Sequence, residues 1–474
     1  MINTIDTKKN IKGNVSIFEI LFQICMISFP FGAKILSLYL GFFTIYPYLF
    51  FLGILIIYSF SFKIIKIPKY YIIFIAYLSV LLAYAIIRAF MSGFSSYAVF
   101  DIRNLLLFLS TIFLLFRSDA ILGWNKLKSI LGNIFGLFFI TFTLVAIFEY
   151  LTGIHIWGQH VETLMKLPVS ATTYSPVFCY DNPNNFITYY ILIGLTVIML
   201  NDEIQHNLWI SLIIVGLMFC FSMVSDSRLG KIASVIILIG LFPYHLFQIK
   251  SFLKNKKYSI ILILSFVLIA FFFNKLYFGP LWSTTDRYVE NEILIEQSMP
   301  TIKIFNIYQL DSSSNKQMIV SAYKKFREEQ NQKGSDAIRL KLIKNGIYLF
   351  KTSNGFGVGP GMFRYLHNEK KIPENVGEQN GPHNWIIELL SQYGFFCLIY
   401  IFFVLFMIWK SILLSKYHQR YSIIFIISII GFFIMSNSPS GFGLLDINWI
   451  FTGIMILFFT NEITKTSAIE NKPA

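Results

Sequence analysis

Residues 355–361 read Gly355-Phe356-Gly357-Val358-Gly359-Pro360-Gly361, and residues 381–384 read Gly381-Pro382-His383-Asn384. Both strings lie in the longest polar stretch of the chain, 279–383, and the second ends it. Almost everything before and after is apolar and reads as membrane. The apolar pattern resumes directly after Asn384, so His383 stands where a polar loop enters a hydrophobic helix. That is a water–membrane boundary, suited to chemistry on a molecule that is half lipid and half polar.

The composition agrees. Of 474 residues, 55% are hydrophobic, 18% aromatic and only 14% charged, against about 25% charged in a soluble domain. The chain therefore reads as an all-α integral membrane protein, not as several soluble domains. A net charge of +14 raises the question of nucleic acid. The lysines and arginines, however, cluster in short segments between apolar runs, which is the mark of membrane topology and not of a basic groove. Cys25, Cys179, Cys220 and Cys397 form no C-x-x-C pair and suggest neither a disulfide framework nor a zinc site. The polar, basic N-terminus leads into an apolar run without a small-residue cleavage site, as for a retained first helix.

A bilayer needs about 20 apolar residues per helix, which gives about twelve spans. They fall near 17–37, 41–62, 70–91, 101–117, 130–151, 184–200, 207–224, 229–249, 259–278, 384–409, 421–436 and 444–461. Three blocks result. Residues 1–278 form an N-terminal bundle of about nine helices; 279–383 form one large extracytoplasmic loop; 384–474 add about three helices and a short cytoplasmic tail.

Orientation follows from the short loops. Lys8, Lys9 and Lys12, then Lys63, Lys66 and Lys69, then Arg117, Lys126 and Lys128 occupy alternate loops. So do Lys250, Lys254, Lys256 and Lys257, then Lys410, Lys416 and Arg420, and finally Lys465 and Lys472. The positive set is cytoplasmic, which puts both termini inside and 279–383 outside. Within that loop Ser335-Asp336 can cap a helix running to about Lys351. Its Ile338, Leu342, Ile343, Leu349 and Phe350 alternate with Arg339, Lys341 and Lys344, a pattern that suits a helix on a membrane surface.

Several residues could carry chemistry. His383 is a base near neutral pH by its intrinsic pKa, with Asn384 and Glu388 close by in sequence. The bland alternative is a capping turn in which the imidazole is incidental. Glu388 would otherwise stand unpaired in a membrane helix, and ionisable groups there are functional by default. Arg228, in Ser225-Asp226-Ser227-Arg228-Leu229-Gly230, is a fixed cation with bidentate geometry for phosphate; its alternative is snorkelling to headgroups. Arg339 is a second such cation or a headgroup contact. Arg103 and Asp101 could pair with each other, and Arg88 is a further phosphate contact or a snorkelling residue. The glycine string lacks the strand-before, helix-after context of a dinucleotide fingerprint, so it reads as a tight turn and no nucleotide cofactor is expected. No carboxylate pair stands at ligand spacing, and no metal is expected.

Together these motifs resemble the O-antigen ligase and O-antigen polymerase superfamily of bacterial envelope glycosyltransferases. The resemblance rests on Arg339 leading into the glycine string and Met362-Phe363, then on Pro382-His383-Asn384-Trp385 followed by Glu388-Leu389 and Tyr393-Gly394-Phe395. Upstream, Ser227-Arg228-Leu229-Gly230 and Asn182-Pro183-Asn184 resemble the family's outer arginine turn and Asn-Pro-Asn entry. It is most specific over 335–400. It implies a GT-C-like multi-pass fold in a bacterial inner membrane, and a glycan donor on undecaprenyl diphosphate used without metal or nucleotide sugar. Arg228 and Arg339 would hold the diphosphate and His383 would activate the acceptor hydroxyl, with Asn384, Glu388, Arg103 and Arg88 in support. Expected partners are the lipid-linked oligosaccharide as donor and acceptor, the bilayer, and a chain-length regulator with other assembly proteins. A polymerase is favoured, with a ligase onto lipid A core as the alternative and a flippase as a non-enzymatic second alternative. The insert 283–334 has no assigned role.

Overall fold

The structure is a computed structural model that describes residues 2–31, 38–39, 44–63, 67–152, 176, 178, 180, 183–225, 227–253, 335–374, 384–437 and 446–465. The expected ninth span, 259–278, the insert 283–334, Asn182 and His383 lie outside the described residues.

Helices dominate. They are α1 (Ile2–Ser28), α2 (Pro47–Ser59), α3 (Lys69–Ser92), α4 (Ser96–Leu122), α5 (Trp124–Thr152), α6 (Pro183–Leu200) and α7 (Asp202–His206). There follow α8 (Leu208–Val224), α9 (Arg228–Leu253), α10 (Ser335–Thr352), α11 (Met362–Asn368), α12 (Trp385–Tyr393), α13 (Phe395–Met435) and α14 (Asp446–Phe458). A π-helical turn, Phe459–Lys465, extends α14. The one strand ladder among the described residues is a two-residue antiparallel pairing, β1 (Leu38–Tyr39) with β2 (Thr44–Ile45).

Among the described residues, five helical segments are long and apolar enough to cross a membrane: Lys69–Ser92, Ser96–Leu122, Trp124–Tyr150, Phe395–Ser415 and Asp446–Thr464. The other apolar helices are shorter. Two are central. Every residue of α6 from Phe186 to Leu200 is buried, as is nearly all of Asp446–Thr464. A helix apolar on all sides is a core helix, and α6 meets α5, α8, α13 and α14. Phe29, Phe138, Phe142, Tyr180, Tyr189 and Tyr190 fill the space around it with stacked and edge-on rings. Peripheral helices instead leave Ile72, Ile87, Phe90 and Leu144 exposed, as lipid-facing residues are.

One expected span needs correction, and one long helix needs qualifying. The span 384–409 is broken at Gly394, which takes φ 59 and ψ −132 between α12 and α13; that conformation is nearly exclusive to glycine. The membrane-length segment therefore starts at Phe395. Second, α13 does not run straight. Ser422 Oγ donates to Ser411 O at 3.0 Å, yet eleven residues of straight helix would separate them by about 16 Å. The chain folds back between Phe395–Ser415 and Gln419–Met435, making the two arms that the hydropathy pattern separated.

Residues from the loops that the charge pattern placed inside meet at one end of the bundle. Lys128 Nζ bonds Asp202 at 2.9 Å and Glu462 at 2.7 Å, Trp124 Nε1 donates to the same Glu462 oxygen, and Arg420 reaches Asp202 and Gln205. Nearby, Tyr71 and Asn461 donate to Asp119. Lys128 is 8% exposed, so removing its charge takes a buried counter-ion from Glu462 and leaves it the neutral Trp124 donor. Lys128→Met is expected to destabilise by about 3 kcal/mol, the low end for breaking a buried pair because Asp202 is half exposed. Thermal unfolding in detergent reads this out, and an unchanged midpoint would show that the cluster contributes nothing.

Candidate active site

The opposite end is organised by the glycine string. Asp101 and Asp119 lie eighteen residues apart on α4, about 27 Å along the axis. At the Asp101 end the chain from Gly355 to Gly361 lies across α12. Val358 N donates to Ser391 O at 2.8 Å, Gly359 N to Gln392 O at 3.0 Å, and Phe395 N to Gly355 O at 3.0 Å. Gly361 N donates to Asp101 Oδ2 at 2.8 Å and to the Gln392 side chain. The glycines are required by geometry. Gly361 has φ +69, and a Cβ there would run into the Tyr97 backbone of α4. This is the tight turn expected from the sequence.

Arg88 is part of that fastening. Its guanidinium donates to Gly357 O across 269 residues of sequence, and Tyr84 donates to Phe356 O. Arg88 thus holds backbone in this structure through Nη2, a role that neither expectation, phosphate contact or snorkelling, included. The expected Asp101–Arg103 pair is also corrected. Asp101 turns to the Gly361 amide, while Arg103 lies over the Phe100 ring and donates to Asn104. An amide at 2.8 Å offers the enclosed carboxylate a directional partner that an exposed arginine on the same helix does not.

The helix after the string, α11, carries a residue that sequence reasoning missed. Arg364 lies over Phe100 and pairs with Glu388 at 3.8 Å, both side chains largely buried. The carboxylate singled out in the sequence, which the break at Gly394 leaves in α12 ahead of the membrane-length segment, therefore has a cation partner. The signal was present in the sequence: an arginine one turn after Gly361, in a helix too short to be structural on its own. Asn384 caps α12, its Oδ1 accepting from Ile387 N at 3.0 Å. His383 precedes that cap directly in sequence and is itself outside the described residues.

Between α3, α4, α12, α13 and α14 lies a cavity of about 60 Å³ lined by Asp101, Asn104, Glu388, Gln392 and aromatic residues including Tyr77 and Trp449. At about 10–15 Å³ per ordered water it has room for a few waters and is too small for a sugar ring.

The remaining candidates stand on other elements. Arg228 is exposed at the first residue of α9, whose first turn is capped by Ser227: Gly230 N donates to Ser227 Oγ at 3.3 Å. Close approach of α8 explains Gly230, where a Cβ would strike Ser222. Arg339 lies near the start of α10. Part of the apolar stripe of α10 is used in protein contacts: Leu342 and Leu349 are buried with Phe363, and α10 packs on α12. Lys341, Lys344 and Lys351 point outward beside Leu340, Ile347 and Tyr348. Asn345 exchanges two hydrogen bonds with the Glu374 backbone, which ties the loop back to α10.

An all-α membrane protein with a polar assembly at one end of its bundle is thus defined. Residues 213–402 match the family model described as O-Antigen ligase. The chain is also 32% identical over 133 residues to the Teichuronic acid biosynthesis protein TuaE of Bacillus subtilis (strain 168), an alignment covering 26% of each chain. The chain thus aligns with about a quarter of the length of that relative. The two findings support the O-antigen ligase and polymerase superfamily for this chain. The family segment contains Arg228, Arg339, the glycine string, Arg364, His383 and Glu388.

Proposed function

We propose that the protein is a polymerase of a bacterial surface polysaccharide, acting at the outer face of the plasma membrane. The donor is a glycan on undecaprenyl diphosphate, and the acceptor is a hydroxyl of a second lipid-linked repeat. The observation that carries the reading is that the glycine string is fastened to α4 and to the last turn of α12, while Glu388 in the first turn of the same helix, shortly after His383, pairs with Arg364 at a polar end of the bundle. His383 takes the proton of the acceptor hydroxyl; the oxygen attacks the anomeric carbon; the bond to the diphosphate breaks. Arg228 and Arg339 hold the leaving diphosphate, supplying fixed positive charge where negative charge develops. A base with intrinsic pKa near 7 suits the proton transfer.

The polymerase is preferred over a ligase because the named relative serves teichuronic acid, itself a polymer. A deletion strain analysed by gel tests the choice. Accumulation of a single lipid-linked repeat, or of core bearing one repeat, supports the polymerase. Full-length chains retained on undecaprenyl diphosphate with bare core would establish a ligase instead. Transfer is expected to survive excess EDTA; strict dependence on an added divalent ion would remove the metal-free scheme.

Sidedness has its own test. In a cysteine-free background, a membrane-impermeant thiol reagent should label Lys351→Cys on intact cells and spare Glu203→Cys; both positions are exposed. The reverse pattern would place the proposed site in the cytoplasm and end the reading.

A further inference from the structure

We propose that Arg364 is a positioning residue for the transfer reaction: its guanidinium holds the Glu388 carboxylate and thereby fixes the first turn of α12 against α11 and α4. The inference rests on the proposed function and deepens it.

Arg364 and Glu388 come within 3.8 Å, with side chains 15% and 7% exposed. A carboxylate so enclosed demands compensation, and removing the partner of a buried pair leaves an uncompensated charge. Arg364 also acts electrostatically on Asp101. The guanidinium thus pairs with Glu388 on α12 and acts on Asp101 of α4 only as a longer-range charge. A cation already paired with a largely buried carboxylate is poorly placed to receive a diphosphate, because the anion would meet that negative charge. Its role is directed inward.

The register explains what is positioned. Glu388 lies in the first turn of α12, whose cap is Asn384. The same turn is where the chain arrives from Gly381-Pro382-His383. Arg364 itself is set by the Gly361 amide, bound to Asp101 and Gln392 one turn earlier. Asp101, Gly361, Arg364 and Glu388 therefore form a chain of contacts from the bundle to the helix that begins after the proposed base. Small displacements of a base relative to its substrate cost large factors in rate.

The test uses purified full-length protein and lipid-linked glycan extracted from the deletion strain, following release of lipid diphosphate. Arg364→Gln is expected to lower kcat about 10- to 100-fold with the donor KM unchanged. Arg364→Lys, which keeps the charge and loses the planar fork, should recover part of the loss. The double variant Arg364→Gln/Glu388→Gln should be no slower than the slower single variant, since the two residues act as one unit. Multiplying effects in the double variant overturn the proposal, as does a raised KM at constant kcat, which would make Arg364 a diphosphate ligand. If Arg364→Gln fails to fold, Arg364→Lys decides alone: a lowered kcat at constant KM supports the proposal and a wild-type kcat overturns it. Transfer surviving in His383→Ala would sink the site reading while a non-additive cycle left the pair standing, so the two failures are distinguishable.

Discussion

His383→Ala and Arg228→Ala are each expected to abolish polymer formation in a complemented deletion strain, with protein still present in the membrane fraction. Loss of a general base costs about 10²- to 10⁴-fold. Loss of one fixed group aimed at developing negative charge costs about 10²- to 10³-fold. Chain growth repeats the step at every unit, so either loss leaves no visible ladder. Arg339→Ala should behave similarly. The two kinds of variant differ in a second readout: the arginine variants weaken capture of the lipid-linked donor, whereas the histidine variant binds it and fails to react. A full-length ladder from His383→Ala would remove its catalytic role and leave its capping position as the whole explanation.

Gly361→Val is expected to destabilise by about 2–5 kcal/mol and to abolish transfer. A β-branched residue at φ +69 is strained, and its Cβ would press on the Tyr97 backbone, which has no room to yield. The turn would lift from α4, and Asp101 would lose the Gly361 amide, one of the hydrogen bonds that an enclosed carboxylate relies on. Gly53→Ala is the matching control: nothing lies within 4 Å of a Cβ there, and α2 should be unharmed or slightly stabilised. Equal melting of Gly361→Val and wild type would show that the turn tolerates rearrangement and that the fastening is not what places α12.

The particular residues show what could be read in advance. Arg88 was visible as an arginine near the outer end of α3, but its acceptor, Gly357 O, is 269 residues away. Asp101 and Arg103 looked like partners because they are close in sequence; the amide that Asp101 uses belongs to Gly361, 260 residues on. Arg364 carried no signal beyond its place after the glycines until Glu388 was brought beside it. The α10 stripe was visible as amphipathic, yet periodicity says only that one face is apolar, not whether lipid or protein covers it; Phe363 and α12 cover part of it.

What the sequence determined by itself was local. Runs of apolar residues dictate helices because an unpaired backbone amide is costly in lipid, alternating lysine-rich loops imply the alternation of sides, and glycines at 355, 357, 359 and 361 announce a backbone only glycine adopts readily. Tertiary structure alone decided the break at Gly394, the reversal between Ser411 and Ser422, and the Asp101–Gly361 and Arg364–Glu388 pairings. Those depend on which helices lie side by side. Helix packing brings together groups hundreds of residues apart, and no spacing along the chain encodes which of several buried polar groups will satisfy another.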